Sequence, residues 1–111
     1  MIRRGQIERF EAVLARQFVL DAMVRARERF PHLEGTPADE LETLITDGIA
    51  RAQGYGIAGR IDLLRYLDYV ARHGLAFEQR PEFERALAIL ERTDLTGSAK
   101  MDQIDTATRA R

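Results

Sequence analysis

The sequence predicts an all-α protein: a compact bundle of four to five helices forming a single domain over residues 1–111. Three observations lead there. Apolar residues recur at helical spacing along the whole chain, no stretch shows the alternation of a half-buried strand, and proline and glycine fall where helices would start or stop. A chain of 111 residues with 45% apolar side chains is long enough for one core, and 32% charged residues give it a solvated surface.

The first helix is expected from about Gly5 to Phe30, with Ile7, Phe10, Leu14 and Phe18 at helical spacing. Pro31 ends it, because proline disfavours helical geometry in the residue before it. Phe18–Val24 is apolar almost all the way round, which suits a centrally sandwiched segment or a surface open to a partner; sandwiching is the favoured reading. The second helix has Thr36 as its expected N-cap, Pro37 at its first position, and Asp39 and Glu40 where the helix dipole favours negative charge. Its apolar stripe is Leu41, Leu44, Ile45, Gly48, Ile49 and Ala52, and the small Gly48 and Ala52 allow close approach of another helix. Gly54 is expected to take the left-handed conformation at its end. That assigns Gly54→Val a cost of roughly 1–3 kcal/mol.

The third helix is expected from about Gly59 to His73, stopped by Gly74. Its core face is Ile61, Leu64, Leu67 and Ala71, widened by Leu63, Tyr66 and Val70, and Asp68 and Arg72 form an acid-before-base pair at i, i+4. A fourth helix opens at Pro81 and runs to about Thr93, with Phe83, Ala86, Leu87 and Leu90 inward. The last starts near Thr96 or Ser98 and offers only Met101, Ile104 and Ala107 to the core, so it is expected to be the weakest.

Reaction chemistry is nearly absent. There is no cysteine, which excludes disulfides and thiolate metal sites and suits a reducing cytoplasm, the expected location. No apolar run approaches the ~20 residues that span a bilayer, and no signal-peptide pattern follows the N-terminus. The lone serine, Ser98, reads as an N-cap. His32 and His73 lack partners at metal-site spacing, and His73 reads as a surface or C-capping cation before Gly74. Gly54-Tyr55-Gly56-Ile57-Ala58-Gly59 follows a helix, not a strand, and lacks the phosphate-loop lysine, so it reads as a turn. Asp62, Asp68, Asp102 and Asp105 each have an arginine or a helix end nearby instead of a paired carboxylate. No catalytic residue, cofactor or metal is therefore expected, and the protein is not expected to be an enzyme.

Nucleic acid is a weaker candidate than protein. Residues 1–30 hold seven arginines against four acids, but Arg25, Arg27 and Arg29 do not share one helix face, and the net charge of the chain is −1. The feature that points to a protein partner is Arg65, Tyr69 and Arg72, which recur at i, i+4 and i+7 on the polar side of the third helix. Tyrosine and arginine are enriched at interface centres. These three are the candidate partner-binding residues, expected to form an exposed strip whose truncation leaves folding intact; the Val19–Met23 stretch is the rival surface.

Asp47-Gly48-Ile49-Ala50-Arg51-Ala52, Tyr55-Gly56-Ile57, Arg65-Tyr66-Leu67-Asp68, the connection from Gly74 to Pro81, and Ala88-Ile89-Leu90 together resemble a known group. Phe30-Pro31 and Lys100-Met101 extend the likeness to about residues 28–104. The group comprises small helical bacterial proteins encoded beside the spike, PAAR-tip and effector genes of type VI secretion clusters. Ala76-Phe77-Glu78 departs from its Asp-Phe-Asp before the proline. The resemblance implies a cytoplasmic, chaperone-like accessory or adaptor protein that helps load an effector or its adaptor onto the spike, with no catalytic residues; the charge and the apolar runs separately lead to no nucleic-acid and no membrane partner being expected. Two alternatives stand beside it: an immunity-type protein that binds a toxin, and a small helical DNA-binding regulator.

Overall fold

The computed structural model describes the backbone of residues 4–109 and the side chains of residues 15–108. The side chains of Ile7, Phe10 and Leu14, and of Arg3, Arg4 and Arg9, thus lie outside the described residues. Among the described residues five helices follow one another: α1 (Arg4–Arg29), α2 (Ala38–Gly54), α3 (Arg60–His73), α4 (Glu84–Leu90) and α5 (Gly97–Arg109). Short 3-10 turns occupy Pro31–Leu33, Phe77–Gln79 and Pro81–Phe83. The described residues contain no strand. α3 is central: it packs on α1, α2 and α5, and α4 packs on α5.

Phe30 is extended (φ −127°, ψ 90°), as the proline after it requires, so α1 stops where expected. α1 is not sandwiched. Phe18, Val19, Ala22 and Ala26 face the core, while Leu20 and Val24 are 40% and 56% exposed. Among the described residues α2 and α3 are the helices packed on α1, and the side carrying Leu20 and Val24 meets solvent.

α2 begins one residue later than its sequence suggests. Pro37 is extended and occupies the capping position, and Thr36 makes no capping bond. The Thr36 carbonyl instead accepts from Arg27 Nη2 at 2.8 Å, and Arg27 Nη1 holds the Leu33 and Glu34 carbonyls. Asp39 supplies an acceptor for the Glu40 amide at 3.0 Å. The small residues of α2 do what was expected of them. A Cβ on Gly48 would lie 2.8 Å from Leu67 Cδ2 on α3, so any larger residue would have to displace that side chain at this helix separation.

The end of α2 corrects the assignment of Gly54. Gly56, not Gly54, has positive φ (+82°). The Ile57 amide donates to the Ala52 carbonyl at 2.9 Å and the Gly56 amide to the Gln53 carbonyl at 3.0 Å. This is a Schellman arrangement, which places the left-handed residue two positions after the last helical one. The glycine turn thus spends its amides on α2's own carbonyls and leaves no phosphate cradle. Gly54 is exposed, with nothing within 4 Å of an added Cβ. The expected cost therefore moves. Gly56→Val should destabilise by about 1–3 kcal/mol, whereas Gly54→Val should change stability by no more than about 0.5 kcal/mol. Urea denaturation of the two variants side by side checks this, and a larger loss at Gly54 would refute it.

On α3, Leu63, Tyr66, Leu67, Val70 and Ala71 are buried and Leu64 packs against them, but Ile61 is 74% exposed. Ile61 lies in the first turn, turned away from α2 onto the same side as Arg72. The expected Asp68–Arg72 pair does not form. Asp68 takes Arg25 Nε at 3.2 Å and Nη2 at 3.0 Å from α1 instead. After Gly74, Ala76 adopts a left-handed conformation (φ 61°) that is strained by roughly 1 kcal/mol for a residue with a Cβ. The kink turns Phe77 and Glu78 inward, where they are 1% and 0% exposed.

α4 is shorter than the span Pro81–Thr93 and starts only after the 3-10 turn at Pro81–Phe83. Ile89 joins Phe83, Ala86 and Leu90 in its buried face. α5 buries Met101 and Ile104 as expected, but it is also fastened by polar groups that its apolar pattern does not reveal. Lys100, 5% exposed, donates from Nζ to the Leu90 carbonyl at 2.8 Å and the Tyr55 carbonyl at 2.6 Å. The only lysine of the chain thereby caps the C-terminal ends of both α2 and α4 with a cation, the sign their dipoles favour.

Candidate functional site

Arg65, Tyr69 and Arg72 do converge on one feature. With Asp68, with Phe30 just beyond α1 and with Asp105 of α5, they line a cleft of about 290 Å³ where α1, α3 and α5 meet. They are not, however, one exposed strip. Arg65 is half-buried and reaches three carboxylates: Asp62 at 3.3 Å, Asp102 at 2.8 Å and Asp105 at 2.7 Å. Its already high pKa is raised further, chiefly by the bond to Asp105. The Tyr69 hydroxyl donates to the other oxygen of Asp105 at 2.6 Å. The Tyr69 ring stacks on Phe77 (5.4 Å, 19°) and on His73 (6.3 Å, 24°). Both residues therefore clamp α5 and the Phe77 turn onto α3, and their truncation cannot leave folding untouched. Only Arg72 is fully on the surface. Its guanidinium lies over the Phe30 ring, 5.6 Å from the centroid, with no hydrogen bond or ion pair among the described residues.

The buried chemistry is structural. Glu78 is fully enclosed, and its Oε1 accepts from Arg51 Nη2 (2.6 Å), Arg51 Nε (3.0 Å) and the Tyr55 hydroxyl (3.1 Å). The Tyr66 hydroxyl lies 3.4 Å from both carboxylate oxygens. Burial, and then the Glu78 charge, push the Tyr66 and Tyr55 hydroxyls above their ordinary pKa. No buried side-chain polar atom among the described residues lacks a partner, and the cluster ties the 74–80 connection to α2 and α3. The sequence held one signal for it: an arginine and two aromatic hydroxyls, Arg51, Tyr55 and Tyr66, on the helices flanking one turn. Nothing local marked Glu78 as their partner.

The remaining candidates also resolve into packing. Ser98 does not cap α5; Thr96 does, accepting the Ala99 amide at 3.1 Å, and the Ser98 hydroxyl donates to Asp62 at 2.6 Å. His32 Nε2 donates to the Ala71 carbonyl at 2.9 Å. His73 is not an exposed capping cation. It sits half-buried among Tyr69, Phe77 and Phe83, while Arg80 supplies the cation at its carbonyl. Burial, and secondarily Arg80 and Arg72, lower its pKa below 6.5. The fold thus prefers the neutral ring, so this part of the stability is present above about pH 6.5 and is lost as pH falls through and below it. Wild type should lose more stability than His73→Gln between pH 7.5 and 5.5 in urea titrations; equal losses would contradict the assignment.

Among the described residues, no group of three or more histidine, aspartate or glutamate side chains is placed to hold a metal ion, and no helix is long and apolar enough to cross a membrane. The arginines at the end of α1 are turned inward in part: Arg25 and Arg29 to Asp68, Arg27 to the 33–36 carbonyls. Of the rival Val19–Met23 stretch, Val19 and Ala22 are buried and Leu20 is exposed; Val19 alone of the stretch lines a second groove of about 460 Å³, with Phe18 of α1, Ile49 of α2 and Leu63 of α3, and with Arg60 over the Phe18 ring. Comparison with protein-family models, with curated proteins and with solved structures finds no match for the chain.

Proposed function

We propose that the protein is a non-enzymatic accessory or adaptor that binds another protein, in the cytoplasmic setting of the type VI secretion clusters its sequence resembles. The observation that carries the protein-binding part is Arg72. It is an exposed cation over an aromatic ring, beside Tyr69, on the lining of a cleft formed by three helices. Arginine and tyrosine in a partly desolvated recess are the residues on which interface energy concentrates. The polar groups elsewhere, Glu78, Lys100 and Ser98 among them, are engaged in holding helices together.

Co-expression with the spike, PAAR-tip and effector proteins of a neighbouring cluster, followed by size-exclusion chromatography, tests the reading. A stoichiometric complex with an effector or its adaptor supports loading. A complex only with an isolated toxin domain, together with loss of toxicity, would replace the adaptor by the immunity reading. Tight, salt-sensitive binding to duplex DNA and no protein complex would replace it by the regulator.

A further inference from the structure

We propose that the cleft between α1, α3 and α5 receives a single carboxylate of an acidic peptide segment, held by Arg72 and Arg29. The inference deepens the protein-binding reading and rests on it.

The argument begins with which cations around the cleft are already committed. Arg25 gives two N–H groups to Asp68 at 3.0 and 3.2 Å. Arg65 is engaged by Asp62, Asp102 and Asp105. Arg72 has no such partner among the described residues. Arg29 has only a 3.6 Å contact with Asp68, beyond hydrogen-bond distance, on a carboxylate that Arg25 already holds, and its side chain is 51% exposed. Two arginines with unused donors therefore border the same cleft.

Arg72 is also pre-organised. Its guanidinium lies over the Phe30 ring, 5.6 Å from the centroid, a cation–π contact that restrains the side chain on the lining of the cleft. A planar fork matches a carboxylate or a phosphate in two parallel bonds. The placement of the uncommitted charge decides between them. The lining cations with unused donors are Arg29 and Arg72, while Asp68 and Asp105 are held by Arg25, Arg65 and Tyr69. The next charges of a phosphodiester chain, or the second charge of a phosphomonoester, would come up against Asp68 and Asp105, and a single carboxylate avoids both. The rings of Phe30 and Tyr69 offer apolar wall for the neighbouring peptide residues.

The test uses the whole chain, labelled with 15N, and the capped pentapeptide acetyl-Gly-Leu-Glu-Leu-Gly-amide, with the glutamine counterpart as control. The expected result is a saturable shift of the Arg29 and Arg72 Nε–H signals by the glutamate peptide. Affinity should be about tenfold weaker for the glutamine peptide and for the Arg29→Gln and Arg72→Gln variants, as loss of a charge-assisted bond implies. Melting temperatures of both variants should stay within a few degrees of wild type. Equal binding of the two peptides, shifts mapping outside the cleft, no saturation at peptide concentrations on the order of 10 mM, or preferential binding of a phosphoserine peptide or a DNA duplex would each overturn the proposal. Failure here separates from failure of the adaptor reading. If the unsubstituted protein forms the effector complex and Arg29→Gln/Arg72→Gln forms it equally well, the adaptor reading survives and the carboxylate site does not. If the peptide titration succeeds and no secretion protein is captured, the site stands without that role.

Discussion

Glu78→Ala is expected to lower stability by about 3–5 kcal/mol, enough to unfold a marginal domain at physiological temperature. The carboxylate is 0% exposed, and Arg51 of α2, Tyr55 just beyond its end and Tyr66 of α3 donate to it. Removing it leaves the Arg51 guanidinium, itself only about one-third exposed, without its counter-charge, and leaves two tyrosine hydroxyls without their acceptor. It also removes the anchor that offsets the left-handed strain at Ala76, so the Phe77 turn loses its reason to kink inward. Glu78→Gln keeps the shape and an acceptor but loses the charge, and should fall between wild type and alanine. The double variant Arg51→Ala/Glu78→Ala should be less destabilised than the sum of the singles, because no orphaned charge remains. Guanidinium denaturation of the four proteins gives the cycle. A Glu78→Ala midpoint close to wild type would show that the cluster is ornament and not a tether.

The second large effect is on the cleft. Arg65→Ala combined with Tyr69→Ala is expected to cost about 2–4 kcal/mol, summed from a hydrogen bond to a charged acceptor, an aromatic stack and a partly exposed ion-pair network. Both side chains bond Asp105, one to each oxygen, so their effects should couple and Asp105→Ala should reproduce much of the loss. The loss should be local first: amide exchange in α5 should accelerate before that in α2 and α3, because Arg65 and Tyr69 join α3 to α5. An unchanged denaturation midpoint for the double variant would restore the view of these residues as a free surface strip. This effect also governs how a partner-binding experiment is read. Loss of capture by this double variant could follow from loosening of α5 alone, whereas Arg72 and Arg29 can be changed with less disturbance of the fold.

What the sequence by itself determined is what lies within one helix or one turn. Pro31 stops α1 because the clash between a proline ring and the preceding residue is local. Gly74 ends α3 for a similar reason (φ 100°), and the stripe of Leu41, Ile45, Gly48 and Ala52 had to be a buried face because helical periodicity places those residues on one side. The all-α class follows from the same local rule repeated along the chain. The candidate site was legible to the same extent: Arg65, Tyr69 and Arg72 share a helix side, and they do line one cleft. Only the tertiary structure decided what meets that side. Arg65 finds Asp105 forty residues away, Glu78 finds Arg51 across twenty-seven, and Arg25 takes Asp68 across forty-three, displacing the i, i+4 pair that local spacing favoured. Ile61 and Tyr69 exchange their expected surroundings for the same reason. The apolar-to-polar pattern of α3 ranks its sides by average hydrophobicity, but α5 docks on a polar side through carboxylates, and nothing covers Ile61. Hydrogen bonds and ion pairs are short-ranged and directional, so their partners are set by how helices cross, a property of the whole bundle that no window of neighbouring residues contains.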